Sequence, residues 1–252
     1  MGIGIRHASG DDGDEARISE LAVRFPDAPV EELVRFLSRR GGVPIEDAAA
    51  AYSAHLEWRR GLGASARLLK AARAVPYGFV RAAGPALDGS TVVLVQGARY
   101  DPAVASSEDY LLACAQAFDI ATPPGSEGTV TILIDVRPGE GWANPPATKM
   151  IPFFRALCKS LPEHYPERVD RVIVFPVNSV FGYFWSLVSG LLDKSVRGSC
   201  VTLRGRAALG APCRSELSEY VTLDSLPSDA RAMYATMAAG GPTGDAQQVT
   251  AS

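Results

Sequence analysis

Residues 180–192, VFGYFWSLVSGLL, limit what this chain can fold into more than any other stretch. Phe181, Phe184, Trp185, Val188, Leu191 and Leu192 recur at helical spacing, while Val180, Tyr183 and Leu187 fill the opposite side. A helix that is apolar all round has to be covered by protein, membrane or a greasy ligand. At ~1.5 Å per residue it reaches only about 20 Å, too short to cross a bilayer. Two readings stay open: a helix buried in a core, or a lid over something apolar. Gly182 and Gly190 weaken the helix by up to ~1 kcal/mol each, which suits an element that moves.

The pattern around this stretch is that of an α/β protein. Residues 91–98, 129–135, 171–175 and 199–203 read as strands, with Pro176 and Asn178 expected to break the third. Residues 107–121, capped by Ser106 or Ser107, and residues 146–161 read as the helices between them, the latter turning Met150, Phe153, Phe154, Leu157 and Leu161 inward. Strand and helix alternating at these lengths imply right-handed crossovers and a mainly parallel sheet. Val172–Val174 and Ile132–Ile134 are apolar on both faces or nearly so, as buried parallel strands are.

Upstream, the pattern is helical. Residues 16–24 form a short amphipathic helix, Pro29 suits the first turn of residues 30–37, Gly41 and Gly42 end that helix, and Pro44 opens residues 45–60. Residues 64–74 read as one more helix. Between Arg17 and Arg81 there are eleven Lys and Arg against seven Asp and Glu, a mildly basic block that fits a solvated helical surface or, more sharply, contact with anionic lipid. The expected organisation is a disordered N-terminus (1–13), a helical subdomain (14–75), an α/β lobe (76–234) and a disordered tail (235–252).

Several functions are disfavoured. A net charge of −3 argues against general nucleic-acid binding. No run reaches 18 apolar residues, and residues 1–16 lack the apolar core of a secretory signal, so a cytoplasmic protein is expected. Cys114, Cys158, Cys200 and Cys213 are widely spaced, which fits reduced thiols better than disulfides or zinc. There is no GxSxG elbow and no GxxxxGK[ST] loop, and Gly61-Leu62-Gly63 lies between helices rather than after a strand. His7, His55 and His164 are the only histidines, and no spacing sets His164 against a serine and an acid such as Asp135; it reads as a surface or packing residue. The expectation is a protein without catalytic residues, cofactor or metal.

Four short patterns, in order, carry a resemblance. Leu33-Val34-Arg35-Phe36-Leu37 is followed by His55-Leu56-Glu57-Trp58-Arg59. Asp88-Gly89 precedes the Val92 strand, and Tyr100-Asp101-Pro102 follows it. Asp135 ends a strand, and His164-Tyr165-Pro166-Glu167-Arg168 leads to Phe184-Trp185-Ser186-Leu187-Val188 and on to Leu192-Asp193. Together they resemble the CRAL-TRIO lipid-binding domains, which include yeast-type phosphatidylinositol transfer proteins and the tocopherol transfer protein, over residues 16 to about 230. The resemblance implies an N-terminal helical subdomain packed on a mainly parallel-sheet lipid-binding lobe with a mobile gate helix, here residues 180–192. In that fold the sheet floors a pocket for one lipid. Burying a large apolar gate side chain in a bilayer is worth roughly 1.5–3 kcal/mol.

Carried over by position, the phosphatidylinositol head-group set retains Arg40 and Glu167, whereas its threonine and lysine become Val196 and Ser199. Losing that lysine removes the cation that would compensate a buried phosphate. Where relatives that bind phosphatidylcholine use hydroxyls, this chain has Val130 and Ile132, with Thr129 and Thr131 on the alternate face. The expected guest is therefore a lipid, with a neutral sterol-like or isoprenoid molecule favoured over a phospholipid. Arg40, Glu167 and Ser199 are the candidate polar contacts, with an ion pair between Glu167 and Arg40 or the neighbours of Arg168 as the structural alternative. Val130, Ile132, Ile134, Phe154, Val174, Phe181, Phe184, Trp185 and Val188 are the candidate lining and gate. A monomer that visits membrane surfaces and exchanges lipid there is expected. A docking module without transfer, using Trp142 in the loop RPGEGW as a contact, and an α/β hydrolase-type enzyme are the alternatives.

Overall fold

The computed structural model describes residues 12–63, 66–177 and 198–239. Four helices come first: α1 (Asp12–Arg24), α2 (Val30–Ser38), α3 (Ile45–Gly61) and α4 (Ala66–Ala74). They are followed by β1 (Val80–Pro85), β2 (Thr91–Gln96), α5 (Ser107–Ala121), β3 (Val130–Asp135), α6 (Ala147–His164), β4 (Val169–Val177) and β5 (Cys200–Arg204). Short 3-10 turns, Ser215–Glu219, Leu223–Ser225 and Arg231–Ala239, finish the described chain.

Local chemistry sets most of these boundaries. Pro29, Pro44 and Pro146 occupy the N-cap positions of α2, α3 and α6 with ψ of 134°, 149° and 142°, one step earlier than the first turn expected for Pro29. Ser106 caps α5 in a capping box: its hydroxyl accepts from the Asp109 amide, and the Asp109 carboxylate accepts from the Ser106 amide. α2 gives way to a 3-10 turn, Arg39–Gly41, in which Arg40 takes φ 56° and Gly41 φ 83°. Leu21, Leu33, Phe36, Leu37, Ala48 and Tyr52 close a core among α1, α2 and α3.

The five strands lie side by side in chain order. β1 runs antiparallel to β2, and β2 to β5 are parallel, with Val93, Ile132, Val172 and Cys200 in one register row and Val95, Ile134, Val174 and Thr202 in the next. Side chains alternate between faces. One face carries these two rows together with Val130, and α5 and α6 supply its helical neighbours. The other carries Val92, Leu94, Leu133, Ile173, Phe175 and Leu203, over which the 3-10 segments pack Leu217, Val221 and Tyr234.

The described elements differ from the expected ones in four places. α1 begins at Asp12, inside the stretch expected to be disordered, and the last 3-10 segment runs to Ala239, past the expected start of the tail. β4 is not broken by Pro176 but continues to Val177. Its pairing with β3 ends at Phe175, and its pairing with β5 is irregular between Val174 and Val177, so the missing proline N–H removes no ladder bond. β1 was not foreseen, because VRAAGP lacks strand-like alternation. Its small residues let the C-terminal wrap approach, and a Cβ on Gly84 would stand 3.1 Å from the Ser225 Cα. The expected gate helix, with Phe181, Phe184, Trp185 and Val188, lies outside the described residues. Among those described, no helix is long and apolar enough to cross a membrane.

Candidate functional site

The residues His164 to Arg168 do not form an isolated pocket wall; they join the N-terminal helices to the sheet lobe. His164 ends α6 and stacks on Trp58 of α3, with ring centroids 4.0 Å apart and planes 8° from parallel. Arg59 grips Asp119 of α5 with both terminal nitrogens, at 2.6 and 2.7 Å, and the Tyr165 hydroxyl donates to the same carboxylate at 2.7 Å. The bidentate geometry adds orientation to the charge attraction. Arg168, buried, donates to the carbonyls of Ser126 at 2.6 Å and Gly128 at 2.8 Å. Arg35 of α2 reaches the Glu167 carbonyl at 2.6 Å.

Burial and the neighbouring Arg35 lower the Arg168 guanidinium to about 10, and burial lowers Arg35 as well. Burial first, then Arg59 and His164, hold His55 down to about 3, and burial followed by Arg59 holds His164 at about 4. Both rings are neutral at pH 7, and the Nδ1 atom of each is buried without a hydrogen-bond partner. A cleft with about 330 Å³ of empty space, part of it open to solvent, runs along this joint between Glu32, Arg35, His55, Arg59, His164 and Arg168.

Arg35 therefore touches the knot. Arg40 is exposed on the 3-10 turn after α2, and Glu167 is exposed with φ 53° at the turn before β4. Ser199, half-buried, leads into β5 and accepts from the Val172 amide at 3.2 Å through its carbonyl. Sequence pattern alone could have flagged Arg35, which sits in the LVRFL segment.

Four of the apolar candidates share one surface. Val130, Ile132, Ile134 and Val174 lie on the same face of the sheet, with exposures of 0% for Val130, 9% for Ile132 and 4% for Val174, and Ile134 half-buried. Phe154, half-buried on α6, packs beside Phe153 with ring centroids 5.4 Å apart. α5 is seated on β1 and β2 and α6 on α5, and Leu157 and Leu161 of α6 share a core cluster with Ile132, Val172, Val174 and Cys200.

Sequence reasoning missed a second polar node. Asp135, with no solvent exposure, takes four bonds from Arg137, three from its guanidinium and one from its amide, between 2.8 and 3.1 Å, and one from the Tyr234 hydroxyl at 2.9 Å. Arg137 also donates to the carbonyls of Ala211 and Met233, so a single carboxylate ties the C-terminal wrap to the ends of the strands. Trp142, the candidate contact of the loop, lies under the Arg99 guanidinium at 4.0 Å instead of standing free. Burial raises the thiols of Cys158 to about 11 and of Cys114, Cys200 and Cys213 to about 12, away from reactive thiolate character. Among the described residues, no group of His, Cys, Asp and Glu is placed to hold a metal.

A family model described as the CRAL/TRIO domain matches residues 77–230. No curated protein matches the chain. Among solved structures, the crystal structure of Sfh5 is similar, with 9% identity over 77% of this chain and 81% of that one and a TM-score of 0.58. At that identity the likeness speaks for the fold, and the fold is the mainly parallel α/β arrangement described above. Since the matched span takes up more than half of the residues, this chain belongs to the CRAL/TRIO domain family, whose members are lipid-binding and lipid-transfer proteins and generally not enzymes.

Proposed function

We propose that this protein encloses one lipid against the sheet face formed by Val130, Ile132, Ile134 and Val174 and exchanges it at membranes. The carrying observation is that this face is apolar across β2 to β5, with Ile134 at its end only half-buried. In this reading residues 180–192 are the gate, Phe154 lines the pocket beside α6, and residues 14–75 are a helical subdomain docked on the lobe of residues 76–234. Arg40, Glu167 and Ser199 contribute the polar end. The absence of a lysine at position 199 and of hydroxyls at Val130 and Ile132 favours a neutral or weakly polar guest over phosphatidylinositol or phosphatidylcholine. The activity requires neither cofactor nor catalytic group, and suits a cytoplasmic monomer that associates transiently with membranes.

Native mass spectrometry of protein purified from cells tests the reading. A single bound lipid mass at near-stoichiometric occupancy is expected; an empty protein overturns the carrier, and stoichiometric phosphatidylinositol overturns the preference. Trp185→Asp is expected to abolish vesicle-to-vesicle transfer while leaving far-UV helicity unchanged, and intact transfer removes the gate assignment.

A further inference from the structure

The joint between the N-terminal helices and the sheet lobe carries positive charge that its own acids do not balance. Arg35 of α2 and Arg168 of the knot converge on one atom, the Gly128 carbonyl oxygen, at 3.2 and 2.8 Å. Their other partners are the carbonyls of Ser126, Glu127 and Glu167 and the Ser126 hydroxyl, which satisfy N–H groups without cancelling charge. Neither guanidinium pairs with a carboxylate of the described residues. Arg168 commits only its Nη1, leaving Nε and Nη2 open. Burial, and then Arg35, work against the Arg168 charge. Of the acids nearby, Asp119 is spent on Arg59 and the Tyr165 hydroxyl, and Glu32 takes the Tyr52 hydroxyl at 3.2 Å.

His55 adds a neutral donor to these charges. Its ring is only 5% exposed, with the Phe36 and His164 ring centroids 5.4 and 5.7 Å away. The Arg59 Nε approaches its Nε2 at 3.5 Å, which leaves the ring proton on Nδ1, and that Nδ1 is buried without a partner. A buried donor with no acceptor costs stability until one arrives. Arg35, Arg168 and His55 all line the cleft described above, together with His164. What this lining lacks is a charged acceptor.

We propose that this cleft binds a small soluble oxyanion, a phosphate or phosphomonoester, held by Arg35 and Arg168 with a hydrogen bond from His55 Nδ1. Two guanidiniums and a ring N–H suit an acceptor-only group that offers several oxygens. The site goes beyond the carrier reading, because Arg40, Glu167 and Ser199, proposed for the guest's polar end, are not part of its lining. α2 and α3 supply one wall, and the knot with Thr122 and Pro124 supplies the other, so a bound anion ties the N-terminal helices to the lobe.

Imidazole NMR on the full chain, with inorganic phosphate as the probe at constant pH and ionic strength, tests the proposal. The chain has three histidines, so the signals are few. Phosphate is expected to shift His55 and His164 saturably and to leave His7 unmoved, while chloride shifts none of them. Arg35→Gln is expected to weaken phosphate roughly tenfold. His55→Phe, which keeps a ring in place and removes the donor, is expected to weaken it roughly fivefold, read from His164. Arg204→Gln removes the same charge at the far end of β5 and is expected to change affinity less than about twofold. Far-UV circular dichroism checks that the variants fold; if Arg35→Gln does not, His55→Phe decides alone. No saturable shift, equal shifts with chloride, full affinity in the cleft variants, or equal weakening by Arg204→Gln overturns the site. So does a response to vesicles containing phosphatidic acid with none to free phosphate, since the anion would then be lipid-borne.

Discussion

On one face of the sheet Leu133, Ile173 and Phe175 have no solvent exposure, and on the other Ile132 and Val172 retain 9% and 8% while Ile134 is only half-buried. The first face is closed by the chain's own C-terminal wrap, held by the bonds that converge on Asp135. The second is closed by α5 and α6 from the β1 side. The difference teaches that the two faces do different work with the same alternating strands: one fixes the fold, and the other is the face that we propose receives a guest.

The largest effect is expected from breaking the clamp on the fixed face. Asp135→Ala leaves Arg137 buried beside Tyr234 without its carboxylate, and a loss of about 3–5 kcal/mol is expected in urea unfolding. The two faces are then compared directly by truncation. Leu133→Ala on the sealed face is expected to cost about 2–5 kcal/mol. Ile134→Ala, one residue away on the other face, is expected to cost less than half as much in the same assay and to lower the amount of co-purified lipid. Equal costs would erase the distinction.

An intermediate effect comes from pH at the joint. His55 and His164 bind protons less well folded than unfolded, so the unfolded chain takes up more protons as pH falls below about 6.5 and stability falls with it. Buried His55 is expected to cost about 2 kcal/mol between pH 6.5 and pH 5, with half-exposed His164 adding less. His55→Gln is expected to flatten that slope in thermal scans. The smallest effect is Tyr234→Phe, which removes one hydrogen bond to a carboxylate and is expected to cost about 1.5 kcal/mol.

What could be read in the sequence was local. Ser106 with Asp109 announces its own capping box, Pro44 its own helix, and the unbroken apolar runs of β3 and β4 a buried parallel sheet. β1 was hidden because Ala82, Ala83 and Gly84 are small for the sake of a neighbour that arrives only with residues 222–225. Pro176 misled because a proline breaks a strand only where a ladder bond is due. The resemblance brought Arg40 to the fore, and Arg35, five residues earlier, could be seen to touch the knot only once the chain was folded. Asp135 could be seen to end a strand, but its partner Tyr234 lies 99 residues on.

That separation has a consequence for synthesis. While the chain is being made, β2, β3 and β4 exist long before residue 234, so one side of the nascent sheet stays bare and sticky until the last wrap returns to it. Premature release of the polypeptide anywhere before that point would deliver a half-sheathed sheet to the cell's chaperones rather than a shorter working protein.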